Sequence, residues 1–408
     1  MGKLKTAFSR NLKQFVMLIA LVVIIVFFQA LTKGTLLRPM NVFNLINQNA
    51  YIVVLAVGML MCILSGGNVD LSAGSVVAFV GACAGTFMIT WKWDPYLSVL
   101  LCLGIGILIG AWQGFWIAYV KLPAFIVTLA GQLVFRGLTL IVLKGLTLSP
   151  FPSSFMALST GSIGNFLGSI FPGVGLRNIT SLIIGIALAI GVFVMQLNKR
   201  SNRKKKGYAY ESLGTTLLRS AVISAAIIYF FFLLANYTGA PVVLITMGIV
   251  LIVYSYITSK TVMGRHLYAV GGNQKAARLS GVKTDKIIFL AYVNMSFLAA
   301  VAGLIFSARL NSSSPQAGTG FELDAIASCF IGGASAYGGI GTVGGTLIGA
   351  LIMGVLNNGM SIMGISIDVQ QVVKGLVLLA AVAFDVISKQ KISLPFLQKL
   401  TARRRVRT

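Results

Sequence analysis

Hydrophobic positions in this chain come in long blocks separated by short polar turns. A helix needs about 20 mostly apolar residues to cross a bilayer core of ~30 Å. Twelve blocks approach that length, near 15–32, 45–64, 71–90, 96–119, 124–143, 179–197, 220–236, 241–257, 287–308, 322–337, 342–360 and 369–388. The tenth is short and rich in Gly, Ala and Ser, so a re-entrant segment fits it as well as a span. The first follows a basic leader, as in a signal peptide, but it has no small-x-small cleavage site and further spans follow it; it reads as an anchor. The pattern predicts an all-α polytopic membrane protein of about 12 helices, forming one transmembrane domain over residues 1–408. Two polar stretches interrupt it, a basic loop at 198–219 and a more ordered segment at 258–286.

Composition strengthens this reading. Apolar residues make up 57 % of the chain and charged ones only 10 %, against a soluble norm of about 25 % charged. A soluble fold of this size could not cover its surface with so few charges. The 45 glycines among 408 residues suit helices that approach closely in lipid. Six of them stand in two sets at a four-residue spacing: Gly106, Gly110 and Gly114 in the fourth block, and Gly341, Gly345 and Gly349 around the eleventh.

The net charge of +25 invites a nucleic-acid partner, since Lys and Arg pair with phosphate. The location of the charge excludes it. With the N-terminus in the cytoplasm, 25 of the 33 basic residues fall in segments on that side, six on the other, and Arg136 and Lys374 fall within spans. This bias follows the positive-inside rule and places both termini in the cytoplasm. The run Asn198-Lys-Arg-Ser-Asn-Arg-Lys-Lys-Lys206 serves as an orientation signal and also suits anionic headgroups.

Enzymatic and nucleotide chemistry is thin. Cys62, Cys83, Cys102 and Cys329 all lie in apolar runs without CxxC spacing, and His266 is the only histidine; they predict no metal site and no catalytic triad. No GxxxxGK[ST] occurs, so the chain does not itself cradle ATP phosphates. Gly339-Ile-Gly341-Thr-Val-Gly344 matches GxGxxG but precedes a span without a preceding strand, so it is no dinucleotide site. The eight acids include Asp70, Asp94, Asp285, Glu322, Asp324, Asp368 and Asp385 at span ends, with no evident proton relay. Arg136 is the clearest buried cation, to be paired with an acid, with carbonyls between helices or with substrate; Lys374 is placed to snorkel.

Polar residues that border spans are the candidates for a neutral path. Asn47, Gln48 and Asn49 open the second block, and Asn68, Asp70, Ser72 and Ser75 open the third. Asp70 with Ser72 fits an ordinary helix N-terminus first, with a sugar contact as the second reading. Glu322 and Asp324 repeat the arrangement at the tenth block, on the opposite side of the bilayer, which suggests an inverted repeat with half-helices. In 258–286, Asn273 is placed to cap a short helix from Gln274 to Ser280 that Gly281 ends. A capped helix between two spans suits docking of a partner.

The order of motifs resembles the permeases of bacterial monosaccharide ABC importers. The resemblance runs through Asp70-Leu-Ser-Ala-Gly-Ser75, Lys121-Leu-Pro-Ala-Phe-Ile-Val-Thr-Leu129 and Arg136-Gly137. It continues through Gly264-Arg-His-Leu-Tyr-Ala-Val-Gly-Gly-Asn-Gln-Lys-Ala-Ala-Arg-Leu-Ser-Gly281, Glu322-Leu-Asp-Ala-Ile-Ala327 and Ile331-Gly-Gly-Ala-Ser335. Departures are small: Ala73 where the family usually has Val, and Leu122-Pro-Ala where Pro-Pro is common. The stretch between Lys144 and Ala240 is longer than in ribose-type permeases and similar to the xylose and multiple-sugar type. The resemblance implies a non-enzymatic subunit that imports an aldose across the bacterial inner membrane, paired with a second permease. It also implies a periplasmic sugar-binding protein and a cytoplasmic ATPase that uses ATP and Mg, with no cofactor on this chain. Coupling to that ATPase falls on Gly271, Gly272, Asn273, Ala276, Ala277, Arg278, Leu279 and Gly281, with Arg278 a lone exposed cation. The pathway candidates are Asn47, Asn49, Asn68, Asp70, Ser72, Arg136, Glu322 and Asp324. A passive sugar or small-solute facilitator is the alternative.

Overall fold

A computed structural model describes residues 12–168, 176–208, 210 and 212–390. The basic leader before Leu12 and the basic tail after Gln390 lie outside the described residues. Within them the chain forms fifteen α-helices and no strand. Ten helices are long and apolar enough to cross a membrane, and Val16–Leu31 is a shorter apolar stretch. The chain is a multi-pass, all-α membrane protein.

Helix α1 is Leu12–Leu31, α2 Pro39–Leu64, α3 Ala73–Gly85, α4 Pro95–Ala118 and α5 Ala124–Leu143. A π-turn, Thr86–Thr90, lengthens α3. A short α6, Ser153–Thr160, precedes the hairpin of α7 (Ile179–Lys205) and α8 (Leu213–Ala235). Then come α9 (Val243–Lys260), the two short helices α10 (Val262–Gly272) and α11 (Gln274–Leu279), and α12 (Thr284–Leu310). The chain closes with α13 (Phe321–Ile331), α14 (Val343–Ile362) and α15 (Ile367–Gln390).

The centre of the bundle is α2 packed on α12, and α3 and α4 pack against α12. The apolar window of α2 is 94 % buried, so this helix runs through protein rather than lipid. The α4–α12 contact rests on the first glycine ridge. A Cβ on Gly106 would press on Ala300 and the Ser296 carbonyl, one on Gly110 on Val293 Cα, and one on Gly114 on Phe289. Larger residues there would separate the two backbones. In the second ridge only Gly345 and Gly349 lie on α14, facing the carbonyls of Gly332 and Ser328. Gly341 stands before the helix, because Thr342 caps α14 by accepting from the Gly345 amide (3.0 Å).

Three boundaries differ from the sequence reading. Helix α2 begins at Pro39, with proline in the first turn, so Asn47, Gln48 and Asn49 lie inside the helix rather than at its opening. Residues 198–205, read as loop, continue α7. Lys and Arg are good helix formers, and cations in the last turn suit the negative end of the dipole. The tenth block is the 11-residue α13, which rises only about 17 Å and cannot cross a core of ~30 Å. The chain after it turns through Gly333, Gly338 and Gly339, all with positive φ. At Gly339 a side chain would also strike Gly272, so glycine is required twice over.

Two segments lack helix where a full span would have it, residues 65–72 before α3 and 311–320 before α13. The second descends beside α3. Ser313 donates to the Gly81 carbonyl, and Gly318 lies against Gly74. The starts of α3 and α13 therefore meet inside the bundle, where a Cβ on Gly74 would overlap the Gly318 carbonyl and the Glu322 carboxylate. The sequence reading put these starts on opposite sides of the bilayer. The half-helix character is present, but the extended lead-in to α13 carries its start inward to that of α3.

Candidate functional site

Two regions hold the candidate residues: the meeting point of the half-helices, and the end of the bundle that carries α11. At the first, Asp70 is fully buried. Its Oδ1 accepts from the Ser72 amide (2.9 Å) and the Ser72 hydroxyl (2.6 Å). Ser72 Oγ in turn accepts from Gln113 Nε2 (2.6 Å) on α4. Ser72 occupies the N-cap position of α3, and no side chain caps the helix there. Asp70 thus closes a turn before the helix instead of capping it. The reason is distance along the chain: Oδ1 is engaged by Ser72, two residues on, which holds the carboxylate at the turn and short of the amides of the first helical turn. Asp70 Oδ2, Gln113 Oε1, and the hydroxyls of Ser75, Tyr292 and Ser296 are buried without a hydrogen-bond partner in the structure.

Helix α13 starts at Gly320, whose φ of +78° sets the turn, and it too has no side-chain cap. Glu322 and Asp324 lie in its first turn, where the dipole favours carboxylates, but neither caps it. Asp324 Oδ2 accepts from Lys374 Nζ of α15 at 3.1 Å. Lys374 therefore turns into the bundle rather than snorkelling, because the buried carboxylate, 2 % exposed, attracts it more than the interface does. Arg136 settles on carbonyls: its Nη1 donates to Pro315 (2.8 Å) and Ala317 (2.7 Å) in the extended lead-in to α13.

The α2 amides form a separate polar line toward α14. Gln48 Oε1 accepts from Asn358 Nδ2 (3.2 Å), and Asn41 Nδ2 donates to Asn358 Oδ1 (2.8 Å). Asn49 donates back to Leu45 within its own helix, while Asn47 Oδ1 is buried without a partner. Gln113, Tyr292 and Lys374 joined these clusters without being singled out as pathway residues. A single polar residue inside an apolar block was the available signal.

At the α11 end, Thr261 caps α10 through the Gly264 amide (3.2 Å). Asn273 caps α11 through the Ala276 amide (2.9 Å), and Gly281 ends the segment at φ +84°. Gly271 sits against the Leu64 carbonyl at the end of α2 and the amide of Gly339, and Gly272 lies beside Gly339. Ala277 faces inward, buried, while Ala276 is exposed and Leu279 is 90 % exposed. Arg278 is not a lone cation: its Nη2 pairs with Asp285 Oδ2 at 2.6 Å, since the first turn of α12 brings that acid alongside. Arg278 and Asp285 border a cleft of about 400 Å³ with Asn68, Lys121, Gln274 and Lys275. Of the pathway candidates, Asn68 lines this cleft; Asn47, Asn49, Asp70, Ser72, Glu322 and Asp324 are buried within the bundle.

The geometry describes a small exposed helix held on a glycine-packed support. Through Leu64 and Gly339, that support reaches α2 and the turn that follows α13. Residues 41–382 match the family described as the permease component of the branched-chain amino acid transport system. The chain is 37 % identical to the xylose transport system permease protein of Haemophilus influenzae, over 96 % of this chain and 100 % of that protein. Its identity to the xylose transport system permease protein of Escherichia coli is 38 %, over 94 % of each chain. The ribose import permease protein of Escherichia coli is 34 % identical over 90 % of this chain and 92 % of its own length. No solved structure matches the chain.

Proposed function

The chain belongs to the family of branched-chain amino acid transport system permease components, and from that membership we propose an ATP-driven monosaccharide importer of the xylose kind as its setting. The chain is the permease subunit of that importer and not an enzyme. It sits in the bacterial inner membrane with α11 toward the cytoplasm. A periplasmic binding protein delivers the sugar, two permease copies form the pathway, and a cytoplasmic ATPase supplies the energy by using ATP and Mg. The permease itself holds no cofactor.

One observation supports this reading above the others. A 6-residue helix carries Leu279 at 90 % exposure, on a support that a lipid-facing or purely structural turn would not need. Burying such a leucine in a partner is worth about 1.5–3 kcal/mol. Closure of the ATPase pushes on 264–286, and Gly271 passes the displacement to α2 and to the turn after α13. Differential binding of the partner to the two permease states drives the alternation of access. Arg278, already paired within the chain, orients α11 toward α12.

Reconstitution tests the reading. The complete assembly in vesicles is expected to take up sugar only with ATP and binding protein, and Leu279→Asp to lower uptake at least tenfold with normal membrane insertion. Sugar flux through the permease alone would instead make it a facilitator.

A further inference from the structure

Helix α7 carries a feature that sugar transport does not use. It has 27 residues and rises about 40 Å, more than the ~30 Å of a hydrocarbon core. Its apolar part, 179–197, fills that core at about 28 Å. The remainder holds Lys199, Arg200, Arg203, Lys204 and Lys205, followed by Lys206 at the cap. These positions fall about 3 to 14 Å beyond Leu197 along the axis: Lys199 and Arg200 lie within a headgroup layer of about 5–8 Å, and Lys204, Lys205 and Lys206 stand just outside it, within a Debye length of about 8 Å of its charge. Residues 198–219 hold seven cations against a single acid, Glu211.

The faces of the helix identify the neighbour. Leu188, Val194 and Met195 are exposed on a membrane-spanning helix, so they face lipid chains. Lys206 follows Leu188 by 18 residues and Met195 by 11, and Lys205 follows Val194 by 11. These intervals are close to whole numbers of turns. Lys205 and Lys206, both exposed, therefore stand where the lipid-facing side of α7 leaves the hydrocarbon. Beyond its own partner α8, the hairpin makes its main contact with α2 through α8, which leaves that side of α7 to the bilayer. Tyr208 and Tyr210 are exposed beside the run, Arg200 lies over the Tyr210 ring at 5.5 Å, and interfacial tyrosines are usual at headgroup depth.

We propose that the end of α7 is a binding surface for anionic phospholipid headgroups, with Lys204, Lys205 and Lys206 as its contacts. The phosphates of neighbouring lipids are held by the lysines while their chains lie on Leu188, Val194 and Met195. Rows of Lys next to a span attract acidic lipid. The inference is independent of the sugar carried.

The experiment uses the full chain, purified in a mild detergent. Phosphatidylglycerol and phosphatidylcholine are added at equal concentration, and bound lipids are counted by native mass spectrometry. The wild-type chain is expected to retain phosphatidylglycerol preferentially. The triple variant Lys204→Gln, Lys205→Gln, Lys206→Gln should lose that preference, at roughly fivefold in affinity per charge, with phosphatidylcholine retention unchanged. The variant residues are exposed, and circular dichroism checks that the fold persists. Equal retention of phosphatidylglycerol by variant and wild type would overturn the proposal. So would a variant that keeps the lipid preference but no longer copurifies with the ATPase, since the run would then serve a protein partner.

Discussion

Asp70 and Asp324 are two buried carboxylates beside the starts of two shortened helices, and they are stabilised by opposite means. Asp70 is closed locally: both of its donors come from Ser72, two residues away, and Gln113 of α4 completes the chain of hydrogen bonds. Asp324 is closed at long range, by Lys374 of α15. The first arrangement needs only the turn before α3 and one facing amide. The second depends on the packing of α13 against α15, two elements that could each form without the other. The bonds to Asp70 itself are local to the start of α3, whereas the bond to Asp324 is only as secure as the packing of α15.

The largest effect expected from breaking this comparison is at Lys374. Lys374→Met leaves the Asp324 carboxylate buried without its cation, and removal of one member of a buried pair costs about 3–5 kcal/mol. Because Lys374 is itself 27 % exposed, the lower end of that range, about 3 kcal/mol, is expected. Thermal unfolding in detergent measures it. Adding Asp324→Leu should recover part of the loss, as replacement of both members removes the stranded charge; a double variant as unstable as the single one would show that the pair is not the source.

Asp70→Ala comes next. It strands the amide and hydroxyl of Ser72 in a fully buried place, at about 1–3 kcal/mol. The loss should be matched in part by Ser72→Ala, which removes the hydroxyl bond to Asp70 but keeps the amide bond; the two changes share that one bond and are not fully additive. Unfolding temperatures of the two single variants and the pair check this.

The smallest effect, below about 1 kcal/mol, is expected for Asp70→Asn, which retains the acceptor oxygen that Ser72 uses. A sugar-contacting role would show differently, as impaired uptake at unchanged unfolding temperature. Measuring both quantities on the Asn and Ala variants separates the turn from the pathway.

Much of this molecule was legible before its structure. Ten long apolar helices, the cap of Asn273 on α11, the end of that helix at Gly281 and the glycine face of α4 all stand near where the sequence put them. The errors share a pattern. Lys374 was read as snorkelling, Arg278 as a lone cation, Asp70 as a cap, and the starts of α3 and α13 as remote from one another. Apart from the three helix boundaries, most of these errors concerned which group a polar side chain would meet. Gln113 and Tyr292 escaped notice because one polar residue in an apolar block does not say which neighbour it faces.

The sequence by itself determined the membrane class, the approximate placement of the spans and the limits of α11. These are local properties, decided by the transfer of each block from water to lipid and by capping bonds within three residues. Only the tertiary structure decided that Lys374 reaches Asp324 across 50 residues, that Arg136 reaches the carbonyls of Pro315 and Ala317 across 179 and 181, and that two half-helices begin side by side. The physical reason is that lipid is as apolar as the side chains it surrounds. No strong amphipathic period marks which side of each helix turns inward, and the rotation of one span against another is fixed by close packing at small residues and by the few polar groups that must find partners.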